Sequence, residues 1–273
     1  MLGCCKVIVV VDFKNLAYNC FHKSLANARL KPETCPEGYF DHIFNFRFKL
    51  DKILSGLQWS RLIFAMERRP DQKYAIFPEY KGKREKLPFD PIPALLNMLG
   101  SWGSESVFAE GFEADDAMAS VVAQNFDTPV VVATTDRDLW QVLDHPNAQV
   151  FDFAQSKFIN RTHLEQKFGI DEYRHLKLVK TLWGDSGDGV PNLVPRMQKW
   201  LRPVVKQSDG SLEDFLEKVE TAETTPRCKE LLAQNLDRLK INFELVRLSY
   251  DCELTYETIL KPEVKEQINE LPW

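Results

Sequence analysis

No apolar stretch in this 273-residue chain approaches the roughly 20 residues that cross a bilayer. The longest N-terminal run, Val7 to Val11, is also too short for the core of a signal peptide. The six cysteines (Cys4, Cys5, Cys20, Cys35, Cys228 and Cys252) include no Cys-x-x-Cys pair and no metal-like spacing with the five histidines. That argues against a zinc module and a disulfide framework, and the cysteines read as reduced thiols. Internal repeats and low-complexity tracts are absent too. These absences predict an intracellular, cytoplasmic globular protein. A hydrophobic content of 44% and a charged content of 27% suit one large domain, or a core with a smaller appendage.

A net positive charge is also missing. The formal balance is −5, which argues against a nucleic-acid partner until the charge is located. Asp12, Glu113, Asp115, Asp116, Asp136, Asp138, Asp185 and Asp188 supply eight negative charges. All but Asp12 fall in three short runs: Gly111 to Asp116, Thr134 to Asp138 and Gly184 to Gly189. Each run lies where apolar structure gives way to a turn or a helix start. A single such cluster reads equally well as a helix cap. Three converging clusters repel one another unless cations sit between them, and hard oxygen ligands in that number suit Mg²⁺ or Mn²⁺ better than zinc. Two such ions side by side are the usual machinery for cutting phosphodiesters. The rest of the chain is slightly basic. Arg68 to Lys86 carries seven cationic side chains against three acidic ones, the composition of a phosphate track and equally of a solvated loop.

Periodicity gives an α/β pattern. Lys6 to Val11 reads as a buried strand ending at Asp12, followed by a helix over Phe13 to Ala28. A helix over Asp41 to Leu57 precedes a second strand, Arg61 to Met66, with Glu67 at its end. Pro91 to Trp102 reads as a helix, Ser106 to Ala109 as a strand, and Glu113 and Asp115 open a helix to about Asn125. Pro129 to Ala133 is a further strand, and Asp138 begins the next helix. Alternation of this kind predicts a mostly parallel central sheet flanked by helices. Ligands of such sheets bind outside the carboxyl ends of the strands, where Asp12, Glu67 and Asp136 fall. From Arg161 the pattern turns helical, with Thr162 to Phe168, Glu172 to Trp183, Met197 to Leu201, Leu212 to Val219 and Arg227 to Leu248. The expected division is a core over 1–160, including a basic segment at 68–90, and a helical subdomain over 161–273.

With these residues in view, the chain resembles the 5′-nuclease family of flap endonucleases, polymerase I 5′-nuclease domains and stand-alone bacteriophage 5′-3′ exonucleases. The motifs are Val-Asp-Phe-Lys-Asn-Leu at 11–16, Glu-Tyr-Lys-Gly-Lys-Arg at 79–84, Phe-Glu-Ala-Asp-Asp at 112–116, Thr-Asp-Arg-Asp-Leu at 135–139 and Gly-Asp-Ser-Gly-Asp at 184–188. Their order and spacing carry the resemblance. It implies a PIN-like core, a helical DNA-binding subdomain, and a two-metal nuclease acting on DNA at or near 5′ ends in replication or repair. Substrates would be 5′-flap, nicked or 5′-end duplexes, with RNA–DNA hybrids as a further class. Asp12, Glu113 and Asp115 would hold the first Mg²⁺ or Mn²⁺, with Asp116 an additional or water-mediated ligand. Asp136, Asp138 and Asp185 would hold the second, with Asp188 beyond them. In the family the Tyr-Lys-x-x-Arg segment arches over the site. Here that implies Lys81 and Arg84 clamping the scissile phosphate, Tyr80 or nearby Phe77 stacking on an unpaired base, and Lys83 and Lys86 tracking the backbone.

Two departures stand out. The family usually has an aspartate where this chain reads Ala65, so Glu67 is the expected substitute ligand. A glycine-rich hairpin that holds duplex around a monovalent cation is replaced by Val190 to Pro195, and Arg196, Lys199 and Arg202 recur at roughly helical spacing. They are the expected duplex-binding face, with no specific need for potassium. Two alternatives remain: a PIN-type RNA nuclease, discriminated by matched RNA and DNA substrates, and a non-catalytic structure-specific DNA-binding protein, discriminated by Mg²⁺-dependent cleavage.

Overall fold

Strand β1 (Val7–Asp12) is buried along its whole length, as a run of branched aliphatics covered on both sheet faces requires. It pairs in parallel with β2 (Trp59–Ala65) on one side and β4 (Val130–Ala133) on the other. β3 (Glu105–Phe108) continues in parallel beyond β2, and β5 (Ala148–Asp152) beyond β4. Two antiparallel strands, β6 (Lys157–Phe158) and β7 (Thr255–Thr258), complete a seven-stranded sheet of order β6-β5-β4-β1-β2-β3-β7. The chain lays down β1, β2 and β3 in one direction and then crosses back to place β4 and β5. The strand order therefore reverses between β1 and β4, and the carboxyl ends of these two strands open the crevice that doubly wound sheets use for ligands.

The computed structural model describes residues 6–31, 41–82, 90–195, 198–221 and 226–259. Lys83, Arg84, Lys86 and Arg196, all expected to contact nucleic acid, lie outside the described residues. One sheet face is covered by α1 (Phe13–Ala28), α2 (Asp41–Leu54) and α4 (Ile92–Leu99) around Phe13, Phe46 and Phe64. The other is covered by α5 (Ala114–Gln124), α6 (Arg161–Phe168), α7 (Leu176–Trp183), α8 (Gln198–Gln207), α9 (Leu212–Thr221), α10 (Pro226–Gln234) and α11 (Leu236–Val246). Its buried cluster runs from Ile8, Val10 and Val132 of the sheet to Leu178, Phe215 and Leu239 of the helices. The helical half thus shares its core with the sheet. Among the described residues no helix is long and apolar enough to cross a membrane.

Several elements depart from the sequence reading. α3 (Asp71–Ile76) interrupts the basic segment and buries none of its residues, so it carries no apolar stripe to read. β7 is polar and exposed along its length, and its partner β3 is about 150 residues distant in sequence, beyond the reach of local pattern. The helix expected over Arg227 to Leu248 breaks at Asn235 into α10 and α11.

Candidate active site

Asp12 is both the last residue of β1 and the cap of α1. Its Oδ1 accepts the Asn15 N–H at 3.1 Å and its Oδ2 accepts the Thr134 hydroxyl at 3.0 Å. Thr134 Oγ1 in turn accepts the Asp136 N–H at 3.0 Å, and Asp136 Oδ1 accepts the Asp138 N–H at 2.9 Å. The Asn15 carboxamide oxygen accepts both the backbone N–H and the hydroxyl of Thr135. These bonds stitch the ends of β1 and β4 together across the switch point and fix Asp12 against the second acidic motif.

Three carboxylates meet there with little counter-charge. Burial, followed by the charges of Asp136 and Glu67, pushes Asp12 from its ordinary 3.8 up to about 7, against the hydrogen bonds of Asn15 and Thr134. Burial and the charges of Asp136, Asp12 and Glu113 hold Asp115 well above the usual carboxylate range. Asp136 is raised by burial and by Asp188 and Asp185, despite the opposing pull of Lys180 and Lys81.

Glu113 behaves differently. Its Oε2 accepts from Lys73 Nζ at 2.7 Å and from Tyr80 Oη at 3.1 Å, while Lys81 Nζ pairs with Oε1. Burial alone would raise its pKa, but Lys73 and Lys81 hold it at about 2. Lys81 also lies 3.8 Å from Asp188 Oδ2, and its N–H donates to the Asp188 carbonyl at 3.1 Å. Its φ of 55° is a left-handed conformation that a non-glycine residue keeps only where its surroundings enforce it. Two expectations are corrected here. Tyr80 is 2% exposed, with its hydroxyl bonded to Glu113 and, at 3.3 Å, to Asp188, so its ring is not available to stack on a base. Lys73 is no open phosphate contact, because it is turned inward onto Glu113, with Asp116 at 3.9 Å.

Asp116, like Asp12, is hydrogen-bonded on both carboxylate oxygens. Its Oδ2 accepts the Glu113 N–H, completing a capping box at the start of α5, and its Oδ1 accepts the Ser249 N–H at 2.9 Å. One oxygen thus closes the start of α5 and the other ties α5 to the segment after α11.

The third acidic motif closes the crevice from the helical half. Asp185 and Val190 exchange two backbone hydrogen bonds of 2.8 Å, which pinch Ser186 to Gly189 into a short loop. Gly184 precedes it at φ +70°, where a Cβ would lie 2.5 Å from the Pro191 carbonyl carbon, so only glycine fits. Lys180 donates to Asp185 Oδ2 at 2.9 Å and pairs with Asp138. Despite burial, Lys180 and the Gly187 N–H keep the Asp185 pKa low. Sequence reasoning overlooked Lys180 altogether and, for Lys73, its pairing with Glu113. The signal for Lys180 was its place in the last turn of a helix that ends just before Asp185; the pairing of Lys73 gave none.

Glu67 is exposed two residues beyond β2, and its charge contributes to the rise in Asp12. Ala65 stands in register with Asp12, so the position of the family's aspartate faces the crevice. Beyond Gly189, Leu193 and Val194 are buried, and the Asn192 side chain accepts the Val194 N–H. The loop is therefore held by side-chain packing. Lys199 is exposed on α8, whereas Arg202 is half-buried against Trp183.

Among the described residues, no three His, Cys, Asp or Glu side chains enclose a metal position as they stand. The donor set nevertheless fits a hard divalent ion, because it is all oxygen, it leaves Asp12, Asp115 and Asp136 short of positive charge, and Asp138 and Asp185 already converge on one cation, the Lys180 ammonium.

The family model described as 5′-3′ exonuclease, N-terminal resolvase-like domain, matches residues 7–169. Over 203 residues the chain is 28% identical to a flap endonuclease Xni of Vibrio vulnificus (strain YJ016), which covers 66% of this chain and 74% of that protein. It is 27% identical over 196 residues to DNA polymerase I of Rhizobium leguminosarum, covering 69% of this chain but only 19% of that polymerase. The fold matches the crystal structure of the T5 D15 protein co-crystallised with metal ions, with a TM-score of 0.64, 18% identity, and coverage of 88% of this chain and 89% of that one. A complex of the T5 D15 flap endonuclease with DNA and metal ions gives a TM-score of 0.63 at 17% identity, with the same coverage. The family model spans more than half of the sequence, and the crevice it covers is built from the first two acidic motifs: the chain belongs to the 5′-3′ exonuclease family and carries its N-terminal resolvase-like domain.

Proposed function

We propose that this protein is a divalent-metal-dependent 5′-nuclease that hydrolyses DNA at or near 5′ ends, as a 5′-3′ exonuclease and 5′-flap endonuclease serving replication or repair. The observation that carries the reading is the crowding of Asp12, Asp115 and Asp136, three buried carboxylates from three elements at the switch point, each with its pKa raised. A folded chain tolerates that repulsion where a cation is to be bound. The names of the relatives, flap endonuclease and DNA polymerase I, agree with that chemistry.

Asp12, Glu113 and Asp115 would hold one Mg²⁺ or Mn²⁺, and Asp136, Asp138 and Asp185 a second, with Asp188 beyond them and Glu67 reaching toward the first in place of the aspartate absent at Ala65. Ions bound there lower the pKa of the attacking water and neutralise charge on the leaving oxygen. The chain's own contribution is orientation. Asn15 and Thr134 fix Asp12, the Asp138 N–H fixes Asp136, and Tyr80 holds Glu113 against Asp188. Asp116 positions α5 and would serve as an additional or water-mediated ligand of the first ion. Lys81, set between Glu113 and Asp188, is placed to exchange a carboxylate for a non-bridging phosphate oxygen. Arg84 would add a bidentate contact and Lys83 and Lys86 further charge along the backbone. Cleavage leaves a 5′-phosphate, and the helical half with Arg196, Lys199 and Arg202 holds the duplex beyond the cut.

The test is a 5′-flap duplex labelled at each end in turn, incubated with Mg²⁺, Mn²⁺ or chelator beside a matched RNA–DNA hybrid. Short products released from the 5′-labelled end, only with metal, are expected. Cleavage that persists in chelator, or that starts from the 3′ end, contradicts the proposal.

A further inference from the structure

Behind the second acidic cluster lies a pocket of about 360 Å³ in which cations outnumber carboxylates: Arg137, Lys167, Lys180 and Arg202 line it with Trp183, and its one acidic side chain, Asp185, is paired by Lys180. Lys180 is engaged by Asp138 and Asp185 and forms the wall between the pocket and the crevice. Among the described residues no carboxylate pairs with Arg137, Lys167 or Arg202. Arg202 is set in place from two sides. Its guanidinium carbon is 5.4 Å from the Trp183 ring centroid. It also occupies a notch at Gly169, the φ +70° cap of α6, where a Cβ would lie 2.7 Å from that same carbon. Arg202 continues into an adjoining hollow that Lys199 and Lys206 also line.

Cations gathered around one hollow repel one another as the carboxylates do, and an anion resolves the repulsion. The donors agree with this. Among the described residues Arg202 Nε and the Trp183 indole Nε1 are shut from solvent without an acceptor, which is costly for groups that can only donate. A guanidinium set within cation–π reach of an indole, with no carboxylate partner among the described residues, can present its remaining N–H groups to phosphate oxygens as a fork.

We infer that this pocket seats a DNA backbone phosphate neighbouring the scissile one, held by Arg202 on its Trp183 platform together with Arg137 and Lys167. The inference rests on the nuclease reading. It makes Trp183 a positioning residue that acts through Arg202, and it gives the substrate a second point of registration on the far side of Lys180 from Lys81.

The experiment measures binding of a 5′-flap duplex by fluorescence anisotropy in Ca²⁺, with each phosphate near the junction replaced in turn by a neutral methylphosphonate. Wild type should lose affinity several-fold at one position. Arg202→Gln should lose a similar amount on the unmodified duplex, with its salt slope reduced by about one, and should then be indifferent to the methylphosphonate at that position. Arg137→Gln, at an exposed site where folding is not at stake, should show the same coupling more weakly. Arg202→Lys should recover only part of the loss, because the flat face is gone. If both glutamine variants bind like wild type, or if their losses simply add to those of every methylphosphonate, the pocket holds no phosphate. Failure of wild type to bind or cut any flap duplex would instead overturn the nuclease reading.

Discussion

Glu113 and Asp12 line one crevice, and both are almost fully buried at 3% and 6% exposure, yet they titrate in opposite directions. Burial raises both. The outcome is decided by what the chain places beside each one. Glu113 has Lys73 and Lys81 and falls to about 2, whereas Asp12 has only hydrogen bonds and rises to about 7. One end of the crevice is therefore neutralised by the protein itself. The other end, Asp12 with Asp115 and Asp136, leaves its counter-charge to be supplied from outside.

The most severe way to break this contrast is to remove a carboxylate from the under-neutralised end. Asp136→Asn should lower single-turnover cleavage by a factor on the order of 10³ while raising the melting temperature of the metal-free protein, because a repelled charge is gone. A variant that cut at the wild-type rate would end the ion-seat assignment.

The two lysines of the neutralised end sharpen the comparison. Lys81→Ala should reduce turnover by on the order of 10²-fold with a modest loss of stability, since Lys73 still pairs with Glu113. Lys73→Ala should act mainly on the fold, costing about 3 kcal/mol in denaturant melts, the low end for a broken buried pair because Lys81 stays on Glu113, with DNA binding at moderate salt barely changed. An inverse pattern, with Lys73→Ala binding DNA poorly at full stability, would return Lys73 to the phosphate track.

The same opposition predicts a pH profile. Between its ordinary 3.8 and its folded value of about 7, Asp12 binds a proton more tightly folded than unfolded, so stability of the metal-free protein falls as pH rises across that window. Glu113 acts in the reverse sense: its contribution is present above its ordinary 4.5 and lost as pH falls toward 2. Melting without metal should therefore be highest near the junction of the two windows, and Asp12→Asn should flatten the decline toward neutrality. A wild-type profile that rises steadily to pH 7 would contradict the crowding of Asp12.

The smallest effect belongs to Glu67, which is exposed and reaches Asp12 through its charge. Glu67→Ala should raise the Mg²⁺ concentration for half-maximal cleavage only a few-fold, and Ala65→Asp, in register with Asp12, should offset that shift. An unchanged metal titration would remove Glu67 from the site.

Much of the site could be read from the sequence because its carboxylates sit at strand ends and helix starts, where local pattern changes period. Asp12 at the end of a β-branched run and Asp136 after Val130–Ala133 are of this kind. What escaped was long-range. Lys73 meets Glu113 across forty residues from a short helix without an apolar face. Tyr80 looks like an exposed arch residue beside Lys81 until the fold buries it, and the Ser249 N–H that holds Asp116 arrives from the other half of the chain. Strand β7 was hidden for the same reason, since a polar edge strand is defined by its partner.

The central claim, that Asp12, Asp115 and Asp136 are held short of positive charge to receive divalent ions, is tested most directly by calorimetric titration of the protein with Mn²⁺ in buffers of different ionisation enthalpy at pH 6. The account predicts saturable binding that releases protons, because carboxylates with raised pKa values must ionise to bind, with both the heat and the proton release diminished in Asp12→Asn. Binding with no proton release, or no binding to the wild-type protein at all, would contradict it.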